Sequence, residues 1–338
     1  MTIELIVYVC CFVLALINCI LPSRLVFFTL LAFYVFFLVV ARLSGFDIDI
    51  EVYVESMRGV DFDLLYYKKE IVFWWLNTKF YELFESPELA LLSWDLVWLV
   101  VSYVGFKRIS LNRESLISSY STFLVCFPVI MGLQNILRQL LATSVFIFAL
   151  GFVESSILIG GGVFLCAAFM HNAVAILAPI LFSRRLKTIS PGFRTITISM
   201  AFALGCFVIF LLGSSALGKS NVSTGMDLSK VYMLFLFAFI LIGAVFLKGN
   251  VLRSAVSSDV MLYGVITVGC LSLFLSSATV ERIGMFYIVV SIPILFNTIS
   301  SLKRSSNRVA FRVLSFLLLA APVLLFSSSR NMLQSTIS

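Results

Sequence analysis

Long apolar runs separated by short polar turns make up almost all of this chain. A helix needs about 20 apolar residues to cross a hydrocarbon core. On that rule the pattern predicts spans at Ile3 to Ile20, Leu25 to Ala41, Leu89 to Phe106, Leu116 to Leu133, and from Gln134 to about Val153. Further spans follow at Thr195 to Gly213, Val231 to Leu247, Val260 to Ala278, Ile283 to Ile299 and Val313 to Phe326. Ser155 to Phe182 is too long for one untilted helix and short for two, and reads best as a hairpin of short helices meeting near His171. The sum is an all-α polytopic protein of about 11–12 hydrophobic helices, a single transmembrane domain over residues 1–338.

The pattern breaks decisively once. Arg42 to Glu70 gathers seven carboxylates (Asp47, Asp49, Glu51, Glu55, Asp61, Asp63 and Glu70) with Arg58, Lys68 and Lys69. Ile71 to Phe84 then mixes Trp74, Trp75, Phe80, Tyr81 and Phe84 with Asn77, Lys79 and Glu82, the composition of a helix lying in the interface plane. Residues 42–88 therefore read as one loop and interfacial helix within the transmembrane domain. Loops on a rigid scaffold are where chemistry concentrates.

Composition agrees with the spans. With 61% apolar and 12% charged residues, the chain has too little polar surface for a water-soluble globule. The first span lacks a basic leader and a small-residue cleavage site, so it reads as retained. Seven cysteines lie in apolar runs without metal spacing and read as small buried hydrophobes. Cytoplasmic loops carry an excess of Lys and Arg. Placing Arg24, Lys107 to Arg113, Arg184 to Arg194, Lys248 to Arg253 and Lys303 to Arg312 inside puts the polar island, Gln134 to Arg138, His171, the Ser214 to Lys230 loop and Glu281-Arg282 on the extracytoplasmic face. That orientation requires the hairpin at His171.

One face then collects Arg58, Asp61, Asp63, Arg138, His171, Glu281 and Arg282. Arginines in such a set suit a phosphate-rich ligand, because the guanidinium offers planar, bidentate contacts. Arg138 opens a helix, where the dipole favours negative rather than positive charge, so an anionic ligand explains it better than helix stability does. A carboxylate or the single histidine can accept a proton from an attacking hydroxyl. Asp61 and Asp63 share a face if extended and splay apart in a turn. Asp95, inside a span, reads as helix-packing glue, and Gly160-Gly161-Gly162 as a place for close helix approach.

Taken together, Arg58-Gly59-Val60-Asp61-Phe62 followed by Tyr66 or Tyr67, Asn135 to Arg138-Gln139 opening a span, His171-Asn172-Ala173, and Glu281-Arg282-Ile283-Gly284-Met285-Phe286-Tyr287 resemble the EpsG family of bacterial polysaccharide polymerases. That family is similar in role to Wzy-type O-antigen and capsule polymerases. The resemblance implies a GT-C-like architecture in the bacterial inner membrane with its active face in the periplasm. It implies transfer of a growing glycan from undecaprenyl diphosphate to the nonreducing-end sugar of the next lipid-linked repeat unit. On that reading Asp61 and His171 are the catalytic positions, and Arg58, Tyr66, Arg138, Gln139 and Arg282 contact substrate or its diphosphate. No cofactor and no metal is expected, since arginines would neutralise the leaving group. Asp61 and Asp63 holding Mg²⁺ or Mn²⁺ is the less favoured variant. The expected partners are the undecaprenyl-diphosphate-linked donor and acceptor, membrane lipid, a chain-length regulator and a flippase, with no nucleic acid.

Two other classes fit the composition. A flippase for the same lipid-linked oligosaccharide would bind diphosphate without making a bond, but repeat symmetry and midplane polar groups would be expected of it. A polysaccharide ligase would act on the same face.

Overall fold

The computed structural model describes residues 2–45, 48–153, 155–185, 264, 267–269, 277–325 and 333. The spans expected at 195–213 and 231–247, most of that at 260–278, the loop 214–230 and the basic stretches 186–194 and 248–253 lie outside the described residues.

Among the described residues the secondary structure is helical, with no strand: α1 Ile3–Ile20, α2 Arg24–Leu43, α3 Ile48–Met57, α4 Leu65–Lys68, α5 Ile71–Phe84, α6 Pro87–Ile109, α7 Arg113–Val125, α8 Phe127–Gln134, α9 Leu137–Phe152, α10 Ile157–Met170, a 3₁₀ segment Asn172–Leu177, α11 Ala178–Arg185, α12 Ser277–Ser300 and α13 Ser305–Leu325. Five of these are long and apolar enough to cross a membrane, and a sixth span arises if α7 and α8 count as one. The chain is an all-α polytopic membrane protein. Its outer helices leave Leu21, Leu25, Phe28 and Phe36 exposed, a surface that suits lipid rather than water.

Lipid gives helices no hydrophobic reason to associate, so packing rests on close backbone approach and interhelical hydrogen bonds. Gly105 shows the first. A Cβ there would lie 2.8 Å from the Ile147 and Phe148 backbone, so only glycine lets α6 meet α9 this closely. Of the three consecutive glycines, only Gly160 is closely approached, a Cβ there falling 2.9 Å from the Val153 Cα, whereas Gly161 and Gly162 face open space. The second device runs along α7, where Ser118 donates to the Asn18 carbonyl at 3.0 Å and Tyr120 to the Leu99 carbonyl at 2.6 Å.

Four sequence expectations change in three dimensions. Leu116 to Leu133 is not one straight span: α7 and α8 bend by 46° at Cys126, because Pro128 lacks the N–H and crowds the preceding turn. The Val125 carbonyl at the break accepts a hydrogen bond from the Tyr8 hydroxyl at 2.8 Å. Arg42 is not loop but the end of α2, buried and paired with Asp95. The island is part helix, α3, whose Tyr53 carbonyl accepts from Asn77 Nδ2 at 3.0 Å, while Asn77 Oδ1 accepts from Trp94 Nε1 at 3.1 Å. Arg308 and Arg312 belong to α13 rather than to a turn, and buried Arg312 reaches Glu114 at 3.5 Å.

Candidate active site

Four elements end or begin at one place. α5 starts at Ile71 with Glu70 in the capping position, α9 starts at Leu137 after a break at Asn135 and Ile136, and α10 stops at His171, whose backbone is extended. Near its start α12 brings Arg282. Helix ends carry backbone groups without intrahelical partners, so such a junction is intrinsically polar even inside an apolar bundle.

A cavity of about 190 Å³ lies at this junction, lined by Val52, Tyr53, Ile136, Arg138, Gln139, His171 and Arg282. Four of the residues singled out in the sequence, Arg138, Gln139, His171 and Arg282, thus meet although they come from three distant stretches. Arg58 and Asp61 do not line it. Both are exposed, and no ion pair joins them among the described residues. The Asp61 carboxylate instead accepts the Asp63 N–H at 2.9 Å, so the two aspartates splay in a turn, with Asp63 lying 3.7 Å from Lys68. Tyr66 falls in α4, and its side chain lies outside what the structure describes.

The centre of the cluster is Glu70, only 5% exposed. One carboxylate oxygen pairs with Arg138 Nη1. The other lies 2.6 Å from His171 Nδ1 and accepts the Asn172 N–H at 3.3 Å. Burial by itself raises a carboxyl pKa, but here the hydrogen bond and charge of His171, the charge of Arg138 and the Asn172 N–H outweigh it and hold Glu70 below its usual range. An ionised carboxylate only accepts hydrogen bonds. The proton in the contact therefore sits on His171 Nδ1, and in the neutral ring Nε2 is left as the acceptor.

Arg138 is equally constrained. Its guanidinium carbon lies 4.8 Å from the Trp74 ring centroid, 5.4 Å from that of Tyr53 and 6.0 Å from that of Phe73, and its Nε reaches the Tyr53 hydroxyl at 3.4 Å. Aromatic faces attract the cation and fix its plane. This gives α5 a second reading: Phe73 and Trp74 are fully buried and face Arg138, while Trp75 and Leu83 stay exposed on the other side. Gln139 fastens α12 to the site by donating from Nε2 to the Arg282 carbonyl at 2.6 Å, and its buried Oε1 has no hydrogen-bond partner among the described residues. Arg282 itself is exposed at the mouth. Among the described residues no group of three His, Cys, Asp or Glu side chains is arranged to hold a metal ion.

Arg138, Gln139, His171 and Arg282 come from three of the stretches on which the family resemblance rests, and the family model matches residues 25–336, nearly the whole chain. The chain belongs to the EpsG family. No curated protein and no solved structure gives a significant match. Membership of the EpsG family supports a polysaccharide polymerase-type role in a multi-pass membrane protein. Glu70 and Tyr53, which complete the site, were not separable from their neighbours in sequence. Glu70 sits after Lys68 and Lys69 at the edge of a charged loop, and nothing in its spacing marks it as buried. The one available signal is its place three residues before the aromatic run Phe73-Trp74-Trp75.

Proposed function

We propose that this EpsG-family protein polymerises undecaprenyl-diphosphate-linked oligosaccharide repeat units by glycosyl transfer on the extracytoplasmic face of the bacterial inner membrane. The observation that supports this reading is the meeting of Arg138, Arg282 and His171 in one cavity. Arg138 and Arg282 bind the donor's diphosphate. The acceptor sugar's hydroxyl oxygen attacks the donor's anomeric carbon, the bond from that carbon to the phosphate oxygen breaks, and undecaprenyl diphosphate leaves with the electron pair. The hydroxyl proton passes to His171 Nε2. Positive charge placed where negative charge develops is commonly the largest catalytic contribution, and the arginines supply it without a metal. His171 is favoured over Asp61 as proton acceptor because it lines the cavity, whereas Asp61 is exposed in a turn. At about 190 Å³ the cavity is smaller than the roughly 300–1,000 Å³ of pockets that engulf a whole ligand. It suits the diphosphate and the reacting centre, with the remaining sugars and the lipid outside.

The test is reconstitution in lipid with the host's own undecaprenyl-diphosphate repeat unit, with and without EDTA, beside Arg138→Ala and His171→Ala. A ladder of repeat units that survives EDTA and is lost in both folded variants is the expected result. Binding of the lipid by native protein without any ladder would sink the polymerase reading in favour of a transporter.

A further inference from the structure

We propose that Glu70 is a positioning residue: it accepts the His171 Nδ1 hydrogen on one oxygen, holds Arg138 on the other, and so presents His171 Nε2 to the acceptor hydroxyl in register with the diphosphate site. The inference rests on the polymerase reading above and extends it to a residue that never touches the reacting atoms.

Three observations carry it. Glu70 is buried at the hinge between α4 and α5, so its carboxylate has few alternatives to the partners it has. Those partners lie on separate elements, Arg138 in the first turn of α9 and His171 at the end of α10, and both line the cavity while Glu70 does not. A third contact, from the Asn172 N–H at 3.3 Å, fixes the carboxylate oxygen that faces the imidazole. A carboxylate behind an imidazole selects its tautomer, orients the ring and stabilises the imidazolium formed when the far nitrogen takes a proton. Here the same carboxylate also sets the arginine's position. The donor's phosphate and the acceptor's proton are therefore located by one group, which matters because small misplacements of reacting groups are costly.

The arrangement also couples the two halves of the reaction. In the resting site Arg138 and His171 share the charge of Glu70. When a diphosphate draws on Arg138, more of that charge is left for His171, and the imidazole becomes the better proton acceptor with donor in place. Among the described residues, the other titratable or charged groups shown at this centre are Tyr53 from α3 and Arg282 from α12, the latter preceded in the chain by buried Glu281. None of them contacts the His171 ring nitrogens in the described structure.

The experiment compares native protein with Glu70→Gln, Glu70→Asp and His171→Ala in lipid. Polymerisation of the host undecaprenyl-diphosphate repeat unit is measured across pH, and binding of undecaprenyl diphosphate and thermal unfolding are measured separately. Glu70→Gln is expected to lower kcat by about a hundredfold, with KM and undecaprenyl diphosphate affinity not weakened. The acid limb of its pH–rate profile should move to lower pH, because the imidazolium has lost its stabilising carboxylate. Glu70→Asp keeps the charge but withdraws it by one methylene, and should fall between the two. It carries the test by itself if Glu70→Gln does not fold. Native kcat and an unmoved pH profile in Glu70→Gln, or in Glu70→Asp where that alone folds, with His171→Ala inactive, would overturn the role of Glu70 and leave the proton acceptor standing. Parallel loss of kcat, lipid affinity and thermal stability would make Glu70 merely structural. Native activity in His171→Ala would remove the proton acceptor and the inference with it.

Discussion

Asp95 and Glu70 are both buried carboxylates held by an arginine, and the difference between the two sites lies in what closes around the pair. At Asp95 the geometry is complete. Arg42 Nε and Nη2 donate to its two oxygens at 2.6 and 2.9 Å, Trp98 Nε1 donates at 3.2 Å, and both side chains of the pair are buried. Both charges are satisfied inside the bundle, where an unpaired one is costly, and the pair locks α2 against α6. At Glu70 the same chemistry is left open on one side. The arginine and the histidine it holds both face a cavity, and that cavity carries a further arginine at its mouth. A closed pair stabilises a helix contact, whereas an open one keeps charged groups oriented toward something else.

The comparison breaks most sharply under substitution. Arg42→Ala leaves Asp95 buried without its counter-charge and is expected to cost about 3–5 kcal/mol, read as a lowered thermal unfolding midpoint in detergent. Joint replacement, Arg42→Met with Asp95→Leu, should recover most of that stability and, with the site untouched, most of the polymerising activity. The matching double replacement at Glu70 and Arg138 should recover none of the activity, whatever it does for stability. If it did, the two sites would be equivalent and the active-site reading would lose its basis.

A smaller effect is expected from acid. Glu70 has a folded pKa below its unfolded value, so its contribution to stability is complete above the ordinary carboxylate range and is lost as pH falls through the folded value. Lowering pH from about 7 to about 3 should therefore reduce the unfolding midpoint more in native protein than in Glu70→Gln, which has no carboxyl to protonate there. The smallest effect belongs to Asp61→Asn. Asparagine can still accept the Asp63 N–H, so stability should change by no more than about 0.5 kcal/mol and the rate by about twofold at most. A large loss of rate would bring the Asp61 turn back into the chemistry.

How much of this was legible in the sequence depends on which physical signal is involved. Apolar run length, read against bilayer thickness, placed α1, α2 and α6 to within three residues at either end but began α12 and α13 six and eight residues late; Ile71 to Phe84, read from its mixed aromatic and polar composition, matches α5 residue for residue. The break at His171 was legible too, because twenty-eight residues from Ser155 to Phe182 fit neither one untilted span nor two. The bend at Cys126 was missed, although Pro128 announced it, because apolar length alone does not register a missing N–H.

By itself the sequence determined the class of protein, its family and the order of its polar stretches, since these depend on composition and on contacts along the chain. Only the tertiary structure decided which polar side chains share a cavity. Arg58 and Asp61 are as conspicuous in sequence as Arg138 and His171, yet they lie on an exposed turn while the others meet. Glu70 likewise reads as one more loop charge, and Asp95 as packing glue without a named partner, until Arg138 and Arg42 arrive from distant helices. The reason is that the energy of a buried charge is set by its neighbours in space, and packing among helix ends chooses those neighbours over sequence separations that no local pattern encodes.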